Sequence, residues 1–394
     1  MSKKMPKASV LMIGPRRVGK SSVLASMLRS LQLMKDSVGI QFTPDSTTTQ
    51  LMQEKLADLN RIFVEHGPED VFETQSGEVN GQVYAASTDE RITYHFTLSA
   101  SAIQKKGKKE KEVREDICEV EFSDILGEDM TNQQEELIDR MQKSSVILLA
   151  IDSVALMEEG ITGNSWNERI NFPAQIYNMF VDAYSSTEQY TPQLVLMVPL
   201  KCEKYYWEKG GMDCLNEKIK ESYRDLITFF ESRPAFSVAI TPILTLGDVI
   251  FSHYDNVQRY APLYTFRTLD EHGLSIVPNY TPMFCNQPLC YIAGFILSLE
   301  NQIKQEKAKK QGNGWKRWGT RFVVVVLGGL TGLVLFEVFS HILKKPEIRL
   351  QMEKLAASMK TTGDGYEFLQ DNMGIQRLCG QIVLSLPEAE GGNS

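Results

Sequence analysis

Gly14-Pro15-Arg16-Arg17-Val18-Gly19-Lys20-Ser21 is the stretch on which the fold turns. In front of it runs an apolar segment, Ala8-Ser9-Val10-Leu11-Met12-Ile13, with the composition of a buried parallel strand. Behind it Val23, Leu24, Met27, Leu28 and Leu31 recur at helical spacing. A strand, a glycine-bounded turn and a helix N-terminus in that order make an anion site, because first-turn amides have no partner inside the helix. Gly14 and Gly19 admit backbone angles that a side chain forbids. The amides from Arg16 to Lys20 can then curl around phosphate oxygens. This spacing assigns Lys20 to the β- and γ-phosphates and the Ser21 hydroxyl to Mg2+, with Ser22 in the same first turn.

Composition narrows the field. The chain has 394 residues, 42% hydrophobic and 23% charged, which is enough for one large or two ordinary packed domains. A net charge of −8 argues against a surface built for nucleic acid. Six cysteines (118, 202, 214, 285, 290, 379) form no CxxC or Cys/His cluster, so reduced structural thiols in a cytosol are expected, and not zinc. The opening Met1-Ser-Lys-Lys-Met-Pro-Lys lacks the apolar core of a secretory signal, and a cytoplasmic setting is expected.

Residues 1–300 alternate strand-like and helix-like segments, which predicts an α/β domain with a mostly parallel central sheet flanked by helices and one antiparallel edge strand. Ser46-Thr47-Thr48-Thr49 is expected to cap a helix over about 50–66, with Leu56, Leu59, Ile62 and Phe63 inward. Residues 67–90 read as a loop or small hairpin. Ile92 to Ala100 and Val113 to Phe122 alternate with period two, as half-buried strands do, and the lysine-rich run 105–111 between them reads as a hairpin tip. Val146–Ile151 and Leu194–Val198 are dense enough to be central parallel strands. An insert over about 153–190 holds a helix near 174–184, a last strand falls near 236–240, and Asn286-Gln287-Pro288 opens a long helix.

Val120-Glu121-Phe122-Ser123-Asp124 then brings an aspartate to the carboxyl edge of the sheet, where it can hold a Mg2+-bound water, and Gly127 follows three residues on. With the phosphate loop, this Asp-x-x-Gly resembles the Ras-like GTPases of the translation-factor-related class, over roughly residues 8–300. The long region between the loop and Asp124 is most similar to bacterial double-GTPase domains. The resemblance implies a Mg2+-dependent switch cycling between GTP and GDP. In it Lys20 and Gly127 would contact the γ-phosphate, Glu128 would stand where a glutamine usually orients water, and Ser21 and Asp124 would serve the metal. It also implies a switch threonine, with Thr88 as the candidate and Thr47, Thr48 and Thr49 as rivals that helix capping also explains. The family reads guanine with Asn/Thr-Lys-x-Asp; here Leu200-Lys201-Cys202-Glu203 ends the corresponding strand, and Thr241 falls in the family's closing loop. Leu200 and Glu203 depart from that pattern, so an ATPase of another P-loop branch stays open, as does a nucleotide-binding scaffold without hydrolysis. Arg16 and Arg17 are expected to point outward.

Composition changes beyond residue 300. Segment 301–321 holds seven basic residues against one acidic, with Trp315 and Trp318 interleaved. Segment 322–343 begins with 15 uncharged residues before Glu337, short of the about 20 a span requires. Membrane association and burial in an oligomer core both remain open for it. Residues 344–394 show amphipathic helical patterning through Ile348, Met352, Leu355, Met359 and Leu369, suited to a protein partner or a second copy.

Overall fold

The computed structural model describes residues 7–38, 40–74, 92–106, 109–125, 134–158, 166–185, 192–233, 235–255, 261–270, 272–296 and 367–371, with Met5 and the pairs 78–79 and 82–83. The chain opens with β1 (Lys7–Ile13), α1 (Lys20–Val38), β2 (Ile40–Pro44) and α2 (Ser46–Glu65). Short strands β3 (Val71–Phe72), β4 (Glu78–Val79) and β5 (Gln82–Val83) precede a long hairpin of β6 (Ile92–Lys106) and β7 (Lys109–Asp124). Then come α3 (Gln134–Lys143), β8 (Val146–Asp152), α4 (Ser153–Met157), α5 (Trp166–Ile170), α6 (Pro173–Tyr184) and β9 (Gln193–Leu200). Helices α7 (Glu203–Trp207), α8 (Gly211–Ser222) and α9 (Arg224–Glu231) lead to β10 (Phe236–Ile240), β11 (Val249–Tyr254) and β12 (Pro262–Phe266), and β13 (Glu367–Asp371) comes last.

The main sheet runs β13-β10-β9-β8-β1-β7-β6-β2. Its centre, from β10 to β7, is parallel throughout. All seven residues of β8 and all eight of β9 are buried, as strands covered on both faces must be. Alternation then sorts their side chains. Val10 and Met12 of β1, Leu148 of β8 and Leu196 of β9 pack with Val23, Leu24 and Met27 of α1 and with the helical stretch 287–296. Leu11, Ile13, Ile147, Leu149 and Met197 point the other way, against α3, α6, α8 and α9. Each such side chain taken out of water contributes about 1.5–3 kcal/mol.

In the main sheet three pairings among the described residues are antiparallel where one antiparallel edge strand was expected: β6 on β7, β2 on β6, and β13 on β10. β2 was hidden because Ile40-Gln-Phe-Thr-Pro is too short to show its period against the flanking helices. β13 occupies residues 367–371, inside the tail whose spacing suggests a helix; five residues of edge strand override that pattern by pairing with β10. A second sheet, β11-β12-β3, closes a small core of Phe72, Val249, Phe251, Tyr264 and Phe266. Helix α2 begins earlier than expected. Its cap is Asp45, whose carboxylate accepts from the Thr48 amide at 2.7 Å, and Ser46 to Thr49 form the first turn. The rest of 297–394, the apolar run 322–343 included, lies outside the described residues. Among those described, no helix is long and apolar enough to cross a membrane.

Candidate functional site

β1 ends at the sheet's carboxyl edge and releases the chain into the loop at Gly14. A Cβ there would stand 2.7 Å from the Ala150 carbonyl oxygen and 2.8 Å from the Ala150 Cβ on β8, so only glycine lets the loop lie this close to the sheet. Gly19 takes φ 109°, a left-handed value that a side chain disfavours, and its carbonyl accepts the Val23 amide to start α1. Val18 between them is buried and anchors the loop to the core. Arg16 and Arg17 lie exposed on the outer rim, as expected, with Arg17 at φ 61°.

Lys20 folds back under this loop. It is 8% exposed, and its Nζ donates to the carbonyls of Gly14 (3.1 Å) and Pro15 (3.2 Å). One residue on, Ser21 Oγ donates to Asp124 Oδ2 at 2.7 Å. Strand register brings these two together: β7 lies beside β1 with Asp124 opposite Met12, so its carboxylate reaches the start of α1. Burial pushes the Asp124 carboxyl above its ordinary value, while Lys20, the Ser21 hydroxyl and Lys55 pull it back. Tyr94 on β6 stands over the same group. Burial and then Asp124 push its hydroxyl up to about 12, against a hydrogen bond with Ser21. Among the described residues the donor set is the Ser21 hydroxyl and the Asp124 carboxylate, oxygen donors that fit a hard cation such as Mg2+.

The other half of the expected site is arranged differently. Lys201 leaves β9 at φ 57° and its Nζ lies 2.6 Å from Asp152 Oδ2, both largely buried. Asp152 is itself fixed, capping α4 through the Ala155 amide and hydrogen-bonded through its backbone to Asn171. Glu203 is 3% exposed, and its Oε1 accepts from the Leu246 amide at 3.0 Å. Burial pushes this carboxyl up to about 7, with the amides of Leu246, Glu203, Gly247 and Thr245 opposing. Both residues expected at a base are thus turned into the fold. Thr241, expected in the closing loop, is fully buried. The chain keeps strand-like bonds to β9 beyond β10, from Thr241 N to Met197 O and Ile243 N to Pro199 O, so its turn falls later, at 244–247. Leu200, standing where the resemblance has a polar residue, packs beneath the loop 3.9 Å from the position of a Gly19 Cβ.

Thr47 is exposed, Thr49 donates to the Asp45 carbonyl, and Thr48 Oγ1 accepts the His95 amide at 2.8 Å, so this trio serves the start of α2. Ser22 is half-buried and its carbonyl accepts from Ser26 at 2.8 Å. Thr88, Gly127 and Glu128 lie outside the described residues. Sequence reasoning missed Tyr94 and Lys55. For Lys55 a signal existed: it stands on the inward stripe of α2 formed by Thr48, Met52 and Leu59.

No protein family and no curated protein matches the chain. Among solved structures it is similar to the S. cerevisiae Ski7 GTPase-like domain bound to GDP and inorganic phosphate, at 14% identity and TM-score 0.32, over 62% of this chain and 44% of that one. The same domain bound to GTP matches at 16% and TM-score 0.30, over 63% and 45%. The chain therefore spans less than half the length of these structures, and these values set no family for it.

Proposed function

We propose that the chain is a Mg2+-dependent nucleotide switch that binds and slowly hydrolyses GTP. One observation carries this: the Gly14–Ser21 turn leaves a buried strand, enters a helix, and sets Ser21 2.7 Å from a buried aspartate on the neighbouring strand. Bound Mg2+ would neutralise charge on the phosphate oxygens. Ser21 and Asp124 would hold it. Lys20 would exchange the Gly14 and Pro15 carbonyls for β- and γ-phosphate oxygens, which the loop amides also cradle. Gly127 is proposed to meet the γ-phosphate, Glu128 to orient the attacking water, and Thr88 to sense both phosphate and metal. Lys201 and Glu203 would serve guanine once the 245–247 loop yields the Glu203 carboxylate. The C-terminal region would couple nucleotide state to a protein partner, a second copy or a membrane, in a cytoplasmic setting. The double-GTPase resemblance extends this to bacterial defence.

The test is calorimetry of the full chain with GTP, GDP and ATP, with and without Mg2+, and phosphate release compared with Lys20→Ala. Expected are Mg2+-dependent GTP binding and turnover above that of the variant. Absence of triphosphate uptake by folded protein overturns the reading, and equal turnover removes hydrolysis from it. A second reading, a P-loop NTPase with little base selection, is favoured by the burial of Glu203. ATP binding within about tenfold of GTP, a gap of about 1.4 kcal/mol, supports it.

A further inference from the structure

We propose that Lys55 is a second phosphate-site lysine, supplied within the same chain by α2 and directed at the terminal phosphate of the bound nucleotide; this rests on the triphosphate reading above. The inner stripe of α2 runs Thr48, Met52, Leu59, and Lys55 falls on it, three residues past Met52 and four before Leu59. An ammonium on the inward side of a helix is costly unless something anionic meets it. Met52 packs in one core with Val23, Leu24 and Met27 of α1, and Leu59 packs with Ala25. The stripe thus lies along α1, whose first residues are Lys20 and Ser21.

Helix α2 is fixed at its other end to the same wall. The Asp45 amide donates to the His95 carbonyl and the His95 amide to Thr48 Oγ1. The neighbouring Tyr94 stands beside Ser21 and Asp124. From Thr48, Lys55 is about 10 Å further along the axis.

The charges around Lys55 point the same way. Burial lowers its basicity, while Asp58 and Asp124 act to raise it. Both carboxylates are engaged elsewhere, Asp58 with Arg61 at 3.7 Å and Asp124 with Ser21. Among the described residues Lys55 therefore faces negative charge without a direct hydrogen bond to it. A γ-phosphate beside Ser21 and Lys20 would supply an acceptor. A diphosphate, one group shorter, would leave Lys55 largely unmet.

Lys55→Met and Lys55→Arg in the full chain test this. Calorimetry in Mg2+ would compare a non-hydrolysable GTP analogue with GDP, alongside melting without nucleotide. Expected for Lys55→Met is about 10–100-fold weaker triphosphate binding with GDP changed by less than about 3-fold. Melting without nucleotide should be unchanged or higher, because a partly desolvated charge is removed. Lys55→Arg should recover most of the affinity. Equal weakening of both nucleotides, or loss of melting temperature that accounts for the change, makes Lys55 structural and overturns the proposal. So does normal triphosphate binding by Lys55→Met. If the wild-type chain takes up neither nucleotide, the underlying reading falls and takes this one with it.

Discussion

The two ends of the carboxyl edge of the sheet use charge in opposite ways. At the β1–β7 end, Lys20 bonds loop carbonyls and Ser21 bonds Asp124. A phosphate oxygen can take over the contacts of Lys20, and a cation those of Ser21 and Asp124. At the β9–β10 end, Lys201 is bound to an aspartate that already caps a helix, and Glu203 accepts the amide of Leu246. Breaking those contacts exposes groups the fold itself needs. The first end is arranged for exchange and the second for support. Affinity should therefore respond to changes at β1–β7, and stability to changes at β9–β10.

The largest effect is expected from Lys20→Ala. Two charge-assisted contacts to phosphate are lost, each about 1.5–3 kcal/mol, so triphosphate affinity should fall by about a thousandfold. Calorimetry reads the affinity and thermal melting checks the fold. A melting temperature that collapses while residual affinity stays high would erase the contrast between the ends.

Glu203→Gln probes the supporting end. The wild-type carboxyl is raised from 4.5 to about 7 by burial. A raised acid stabilises the fold while protonated, so the wild type should lose stability as pH climbs from about 4.5 to 7, by on the order of 3 kcal/mol. Chemical denaturation across that window should show the slope in the wild type and a flatter profile in Glu203→Gln. The guanine role proposed for Glu203 predicts a fall in the GTP-to-ATP affinity ratio as well; an unmoved ratio confines this end to support. A large fall in that ratio, with stability unchanged, would place Glu203 at the base and make the second end a recognition site too.

Asp124→Asn comes next. Without nucleotide it removes a carboxyl that burial already disfavours in its charged form, so melting should hold or rise. Mg2+ should then strengthen triphosphate binding about tenfold less than in the wild type. Mg2+ titrations at fixed nucleotide measure this, and an unchanged Mg2+ dependence would remove Asp124 from the metal.

What the sequence disclosed, and what it withheld, divides along the same line. The Gly14–Ser21 turn was legible because its demands are local: a close approach at Gly14, a left-handed Gly19 and a lysine following it directly. Continuous apolar runs announced β8 and β9. Asp124 was legible because it closes an alternating strand. The fate of Glu203 was not, since it depends on where the chain turns after β10, and that is set by bonds from Thr241 and Ile243 to β9, more than forty residues away. β2 and β13, five residues each, owe their conformation to the long strand β6 and to β10 beside them. Leu56, Ile62 and Phe63 pack inward as expected, but Lys55 was readable only once a second stripe of α2 was drawn through Thr48, Met52 and Leu59.

The smallest expected effect tests how far the exchanging end extends. Arg17 sits exposed at φ 61°, in a left-handed region where a Cβ is strained and glycine is not. Arg17→Gly relieves that strain, about 1 kcal/mol, but gives the unfolded chain more freedom, a cost of about 0.4–1 kcal/mol. The two nearly cancel, so melting should shift little. Because the side chain lies on the outer rim, triphosphate affinity should stay within about twofold of the wild type, apart from a weak, salt-sensitive contribution of its charge. Comparing Arg17→Gly at low and high salt separates the cases. A loss that vanishes with salt is long-range attraction and leaves the boundary at Lys20. A loss of tenfold or more that persists in salt, for the triphosphate and not the diphosphate, means the arginine reaches the ligand and the exchanging end includes the rim of the loop.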